Sequence, residues 1–167
     1  MTSFIPKKNK PHHDIVMTPI PLAKEIIEHY NPTGRILDPC RGTGAFYNNF
    51  PKKETRLYCE ISEGRDFYNF HEKVDWIITN PPWSDIKKFL IHSFTIADNI
   101  CFLIPFNHFS TKHRLRLMIE ANFGIKEFYG VSTPKTKTWP QSGFQLGSTH
   151  FLRGYKGPII ISGNYGT

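Results

Sequence analysis

Four short apolar runs, each cut off by a turn or a polar residue, constrain this chain more than any other feature. Arg35-Ile36-Leu37-Asp38 runs into the glycine turn Gly42-Thr43-Gly44, and Arg56-Leu57-Tyr58-Cys59-Glu60 ends on an acid. Asp75-Trp76-Ile77-Ile78-Thr79 ends at Asn80-Pro81-Pro82-Trp83, and Ile100-Cys101-Phe102-Leu103-Ile104 is stopped by Pro105. Apolar runs this short, bounded by Gly and Pro, read as buried strands.

Helical spacing lies between and before them. From Pro19 to Tyr30 the residues Ile20, Ala23, Ile26, Ile27 and Tyr30 recur on one face, with Thr18 as N-cap and Pro19 at the first helical position. Ala45-Phe46-Tyr47 reads as the aromatic-rich start of a helix after the glycine turn. Ile86, Phe89, Leu90, Phe94 and Ala97 mark another, and Leu115, Met118 and Ile119 a further one. Strands near Ile125 to Val131 and Thr149 to Tyr155 are joined by a loop without a helix, which makes them an antiparallel hairpin on an otherwise parallel sheet. The pattern predicts an open, Rossmann-like α/β sheet with helices on both faces, and such sheets bind ligands at the carboxyl ends of their strands. Asp38, Glu60 and Asn80 all stand there.

With 167 residues, 39% of them apolar, the chain has material for one core. Residues 15–167 are therefore expected to form a single domain, preceded by a basic arm over residues 1–14 that either reaches a phosphate backbone or is an idle tail. The excess of 21 Lys+Arg over 14 Asp+Glu, a formal charge of +7, favours polyanionic partners such as nucleic acid. Cys40, Cys59 and Cys101 are widely spaced and lack the pattern of a zinc site, so no metal is expected and a reducing, cytoplasmic setting fits best. No apolar stretch reaches the roughly 18 residues a membrane span needs.

Gly42 and Gly44 let the backbone approach a ligand closely, or serve the turn alone. The third glycine of a dinucleotide fingerprint is replaced by Tyr47, which disfavours a pyrophosphate site. Glu60 stands where an acid accepts hydrogen bonds from both hydroxyls of a ribose, unless it is a solvated strand-end carboxylate. Asp66-Phe67 offers an acceptor for an adenine amino group beside an aromatic face. Asn80-Pro81-Pro82-Trp83 is the most specific signal: each proline forces the residue before it into an extended conformation, so the loop is rigid in advance. The Asn80 side-chain oxygen and the Pro81 carbonyl can then both accept hydrogen bonds from one –NH2 group, while Trp83 supplies a flat surface for a base.

These residues resemble class I S-adenosylmethionine-dependent methyltransferases, and within them the amino-methyltransferases of DNA adenine N6. Asp38-Pro39-Cys40-Arg41-Gly42-Thr43-Gly44-Ala45-Phe46 is similar to the family's cofactor motif, and Asp14-Ile15-Val16-Met17-Thr18-Pro19 to the segment that in some subclasses precedes it. Asn80 to Trp83 resembles the (D/N)PP(Y/F/W) catalytic motif, and Leu103-Ile104-Pro105-Phe106 the strand end that follows. The resemblance, over roughly residues 14 to 155, implies seven strands with the last pair reversed. It implies S-adenosyl-L-methionine as cofactor, with Thr18, Pro19, Asp38, Pro39, Gly42, Gly44 and Phe46 on one side, Glu60, Ile61, Asp66 and Phe67 on the other, and Asn80 between. Asn80, Pro81, Pro82 and Trp83 become the catalytic loop.

The expected substrate is DNA, contacted by Trp83, by Asn107 and His108, and by Trp139 and Phe144 in a loop from Ser132 to Gly147 expected to close over the base. Trp139 and Phe144 read equally well as loop anchors. No room remains for a separate target-recognition domain, so weak site selectivity is expected, with a homodimer or a specificity partner left open. RNA adenine or guanine, a protein glutamine, or an inert binding subunit are the alternatives.

Overall fold

The computed structural model describes residues 16–164, so the basic arm over 1–14 and the residues Asp14 and Ile15 lie outside the described residues. Seven strands form one sheet: β1 (Arg35–Asp38), β2 (Thr55–Tyr58), β3 (Val74–Thr79), β4 (Ala97–Pro105), β5 (Phe123–Gly130), β6 (Leu146–Arg153) and β7 (Ile160–Gly163). Their spatial order is β2-β1-β3-β4-β6-β5-β7. Strands β1 to β4 run parallel, β6 lies antiparallel between β4 and β5, and β7 returns parallel to β5. This is the Rossmann-like, mostly parallel sheet expected from the sequence.

Alternation of side chains across the strands separates two cores. Ile36, Ile78, Cys101 and Leu103 point to one face, where helix α1 (Ile20–Tyr30) buries Leu22, Ala23, Ile26 and Ile27 against them. Leu37, Ile77, Ile100 and Phe102 point to the other, beneath α2 (Ile86–Ile96) and α3 (Lys112–Glu120). The central strands are covered on both faces, which is why their sequences read as unbroken apolar runs.

Several expectations need correction. The predicted helix at Ala45-Phe46-Tyr47 is a single 3-10 turn, Tyr47–Asn49. It ends because Pro51 disfavours a helical conformation at Phe50, which sits at φ −58°, ψ 147°. The β2-to-β3 crossover is likewise made of 3-10 turns, Ile61–Glu63 and Phe67–Asn69. Helix α1 starts one residue late, with Pro19 rather than Thr18 at the N-cap and no side-chain cap. Ile119 is 72% exposed, so α3 packs through Met118 and Leu115. The reversed hairpin is β5–β6, but it is not the last pair. Strand β7 follows it at the sheet edge, exposing Ile160 and Ile161, and polar-apolar alternation gives no warning of a strand so little buried.

Candidate active site

The carboxyl ends of β1 and β3 bring the predicted residues together. Asp38, at the end of β1, is fully buried and accepts hydrogen bonds at Oδ1 from Thr79 Oγ1 (2.8 Å) and from the Cys40 backbone amide (3.2 Å). Its Oδ2 has no hydrogen bond of regular geometry, though the Tyr47 backbone amide also favours the ionised carboxylate. Burial pushes the carboxyl up to about 6, against the downward pull of the Thr79 and Cys40 hydrogen bonds. Thr79 escaped sequence reading. Its only signal is a hydroxyl at the last position of a buried strand.

Pro39 follows in the core, and the chain then turns at Gly42 (φ +51°) and Gly44 (φ +90°), conformations that favour glycine. A Cβ on Gly44 would collide with the Asn48 side chain, and one on Gly42 would stand 3.1 Å from the Met17 sulfur. Glu60, just past β2, braces this turn: its Oε2 accepts from the Gly42 amide (2.8 Å) and its Oε1 from Ser62 N (3.1 Å) and Oγ (2.6 Å). The Ser62 hydroxyl bond, more than the Gly42 amide, holds its carboxyl below the usual range. Glu60 is therefore no idle solvated carboxylate. Beyond it Ile61 is 78% exposed.

Asp66 and Phe67 are placed differently from expectation. Asp66 Oδ1 caps a 3-10 turn through Tyr68 N (3.0 Å), and Phe67 is buried, stacked on Phe89 at 4.9 Å and edge-on to His92 at 4.7 Å. The aromatic face foreseen for a ligand is filled by the core. Phe46 is also buried, but it lines a cavity of about 30 Å3 with Val16, Met17, Thr18, the glycine turn and Asn80. Pro19 sits beside Thr18 as the cap of α1. Burial drives the Cys40 thiol well upward, so this cysteine packs and does not attack.

Asn80 is held from two sides. Its Nδ2 donates to the Val16 carbonyl (3.2 Å), and its Oδ1 accepts from Trp83 Nε1 (3.2 Å), which also reaches the Leu103 carbonyl at 3.2 Å. These bonds orient the amide with its oxygen towards Trp83. Pro81 is buried, and Pro82 leads into a 3-10 turn, Trp83–Asp85. The Trp83 ring touches His108 (5.8 Å) and Trp139 (6.2 Å, edge-on).

Asn107 and His108 follow β4, and Asn107 Oδ1 and His108 Nδ1 are buried without partners. Burial, with a smaller push from Arg114, lowers the His108 imidazole below its ordinary value, so it is neutral at pH 7. Of the two roles open to Trp139, a face for a base or a loop anchor, its 3% exposure fits the anchor, and its Nε1 is unpartnered. The loop is pinned further by Gln145 Nε2, which donates to the carbonyls of Val131 (2.8 Å) and Leu146 (2.9 Å). Phe144, at 54% exposure, is the aromatic that this loop presents outward.

A larger cavity, about 670 Å3, opens at the opposite end of the sheet, lined by Arg35, Lys73, Asp75, Asp98 and Arg153 among others. Its charges are engaged with one another or with the backbone: Arg35 with Glu72 and the Lys73 carbonyl, Lys73 with the Thr95 carbonyl, Arg153 with Asp98. Size alone would choose this hollow. Residues singled out in the sequence line the smaller one. No group of three or more metal-ligating side chains occurs among the described residues, and no described helix is long and apolar enough to cross a membrane.

No protein-family model and no curated protein matches the chain. Solved structures do. A candidate class I S-adenosylmethionine-dependent methyltransferase of Listeria monocytogenes aligns over 96% of this chain and 68% of its own, at 13% identity and a TM-score of 0.64. The M protein of the type I restriction enzyme EcoKI aligns over 87% of this chain at 15% identity and a TM-score of 0.58, and the match spans 45% of that protein. A candidate RNA methyltransferase of Pyrococcus horikoshii aligns over 80% of this chain and 82% of its own, at 16% identity and a TM-score of 0.56. The fold is that of the class I methyltransferases.

Proposed function

We infer that the chain transfers a methyl group from S-adenosyl-L-methionine to the exocyclic N6 amine of adenine in DNA. One observation carries this reading: Asn80 lines the cavity at the glycine turn and is at the same time bonded to Trp83, so a cofactor site and a flat base-sized surface meet at one amide oxygen. The residues suit the cofactor by chemistry, with the glycine turn open to close approach, the unpartnered Asp38 Oδ2, and Glu60 and Ile61 at the next strand end. The cavity of about 30 Å3 holds little more than a water, so Val16 and Met17 have to swing away from Asn80 and Gly42 for a nucleoside to enter.

When bound, S-adenosyl-L-methionine supplies an electrophilic methyl on sulfur. This chain's part is alignment. The Asn80 oxygen and the Pro81 carbonyl accept the two hydrogens of the amine and draw its lone pair out of ring conjugation. Methylation leaves a strongly acidic nitrogen cation that loses its proton to water, so a neutral Asn80 suffices where a base would otherwise be required. Trp83 and Phe144 offer stacking surfaces, each worth about 1–3 kcal/mol per base and comparable to the cost of extruding one from a duplex. His108, whose ring lies 5.8 Å from Trp83, and its neighbour Asn107 each keep a buried polar atom without a partner close to this loop.

The P. horikoshii likeness keeps RNA amines as the second reading. Radiolabelled S-adenosyl-L-methionine offered with separate pools of duplex DNA, single-stranded DNA, RNA and protein decides between them. N6-methyl-2'-deoxyadenosine, appearing only in the DNA pools, is expected. Label in RNA moves the reading to RNA, and no label in any pool removes the enzymatic reading.

A further inference from the structure

Helix α3 carries its charge against its own stability. Its first turn is Lys112-His113-Arg114, and its only acid, Glu120, stands at the far end. The amino end of a helix is the positive end of its dipole, so cations there are disfavoured. Lys112 and Arg116 are also four residues apart, where like charges on one helical face repel. Within the described residues Lys112, His113 and Arg116 are exposed and make no ion pair or hydrogen bond, and the one acid at helical spacing, Glu120 four residues after Arg116, does not close a contact with it. The fold uses only Arg114, whose guanidinium donates to the His108 carbonyl. The basic residues around the 670 Å3 hollow, by contrast, all have partners. Repulsion that the protein leaves standing calls for an anion from outside.

The position of this charge is as informative as its sign. Helix α3 begins four residues after His108, whose ring lies 5.8 Å from Trp83. Trp139, 6.2 Å from Trp83, comes two residues after Lys137 and four after Lys135, both exposed. The two segments are tied where the Phe106 amide donates to the Gln145 carbonyl at 2.8 Å. Trp83 thus touches the turn that leads into α3 and the loop that carries Lys135 and Lys137.

We propose that Lys112 and Arg116 of α3 form a contact surface for the phosphodiester backbone of a nucleic acid whose base reaches Trp83, continued by Lys135 and Lys137 beyond it. The proposal rests on the reading of Asn80 to Trp83 as a base-methylating loop. Such contacts fix the position of the strand and carry no sequence information.

The test is binding of a labelled oligonucleotide, in DNA and RNA arms, by fluorescence anisotropy over a range of salt. Three proteins are compared: the parent, K112A/R116A, and K52A/K53A, which removes two exposed lysines ahead of β2, at the opposite end of the sheet. Two lost phosphate contacts, at about 0.7 to 0.9 each, should flatten the log–log salt slope by about 1.4–1.8 and weaken low-salt affinity on the order of tenfold. K52A/K53A should change neither, and K112A/R116A should melt no earlier than the parent, because a repulsion has been removed. Equal losses in both variants mean general attraction and overturn the surface. So does an unaltered slope in K112A/R116A, or a parent that binds no nucleic acid. If the parent binds with this signature but transfers no methyl, the surface stands and the proposed activity falls.

Discussion

The two ends of the sheet differ in how completely their polar groups are satisfied. At the amino ends, around a hollow of about 670 Å3, Arg35, Lys73 and Arg153 are all engaged by carboxylates or carbonyls. At the carboxyl ends the cavity is about 30 Å3, yet four of the six buried side-chain atoms without a partner among the described residues belong there: Asp38 Oδ2, Asn107 Oδ1, His108 Nδ1 and Trp139 Nε1. A buried polar atom left unpaired costs about 1–3 kcal/mol. The amino end is satisfied within the protein, and the carboxyl end leaves polar atoms for water or a ligand to satisfy.

If that contrast is functional, substitutions at the two ends must separate activity from stability. The largest effect should come from Asn80→Ala. Removing the amide oxygen from the reacting amine should lower kcat by about 10²–10³, or roughly 2.7–4 kcal/mol, a larger effect than the loss of cofactor affinity read by calorimetry. Near-normal turnover would take Asn80 out of the reaction.

Asp38→Asn comes next, and its sign is opposite for stability. A carboxyl raised from 3.8 to about 6 on folding binds more protons in the native state, so its contribution falls as pH rises through that window. The two-unit difference corresponds to about 3 kcal/mol. The variant should therefore be more stable than the parent at pH 8 by up to about 3 kcal/mol, with the gap closing towards pH 4, while binding S-adenosyl-L-methionine less well. Urea melts at several pH values check this, and a gap that does not change with pH overturns it.

Arg153→Ala probes the other end. It removes bonds to the Phe94 and Ala97 carbonyls (both 2.8 Å) and to Asp98 (2.6 Å), so a loss of about 1–3 kcal/mol in stability is expected. Methyl transfer per folded molecule should not change. A fall in kcat with no fall in melting temperature would show that the larger hollow takes part in function. The smallest effect belongs to Phe144→Ala, a rise of a few-fold in KM for nucleic acid, at the low end of about 1–3 kcal/mol for stacking on an aromatic. Trp139→Ala is a poor substitute, because emptying a site only 3% exposed costs about 3–5 kcal/mol in stability whatever its role in binding.

The sequence by itself determined the parallel core, because β1, β3 and β4 are buried on both faces and such strands leave unbroken apolar runs ended by Gly or Pro. It also placed Asp38, Glu60 and Asn80 at one edge, since that follows from strand order alone. It failed where the outcome depends on what packs against a residue. Phe67 looked free and is filled in by Phe89 and His92. For Trp139 the sequence left a base face and a loop anchor open, and only packing beside Trp83 favoured the anchor. The helix start at Ala45 collapsed to one turn ahead of Pro51. Strand β7 was invisible because an exposed edge strand need not alternate. Only the tertiary structure could show that Val16 and Trp83 hold Asn80 between them, or that His108, shortly before α3, lies against Trp83 while Lys112 and Arg116 are exposed without partners. Hydrogen bonds and charge pairs across 64 residues of chain are set by where elements meet, and no local pattern of residue types encodes that.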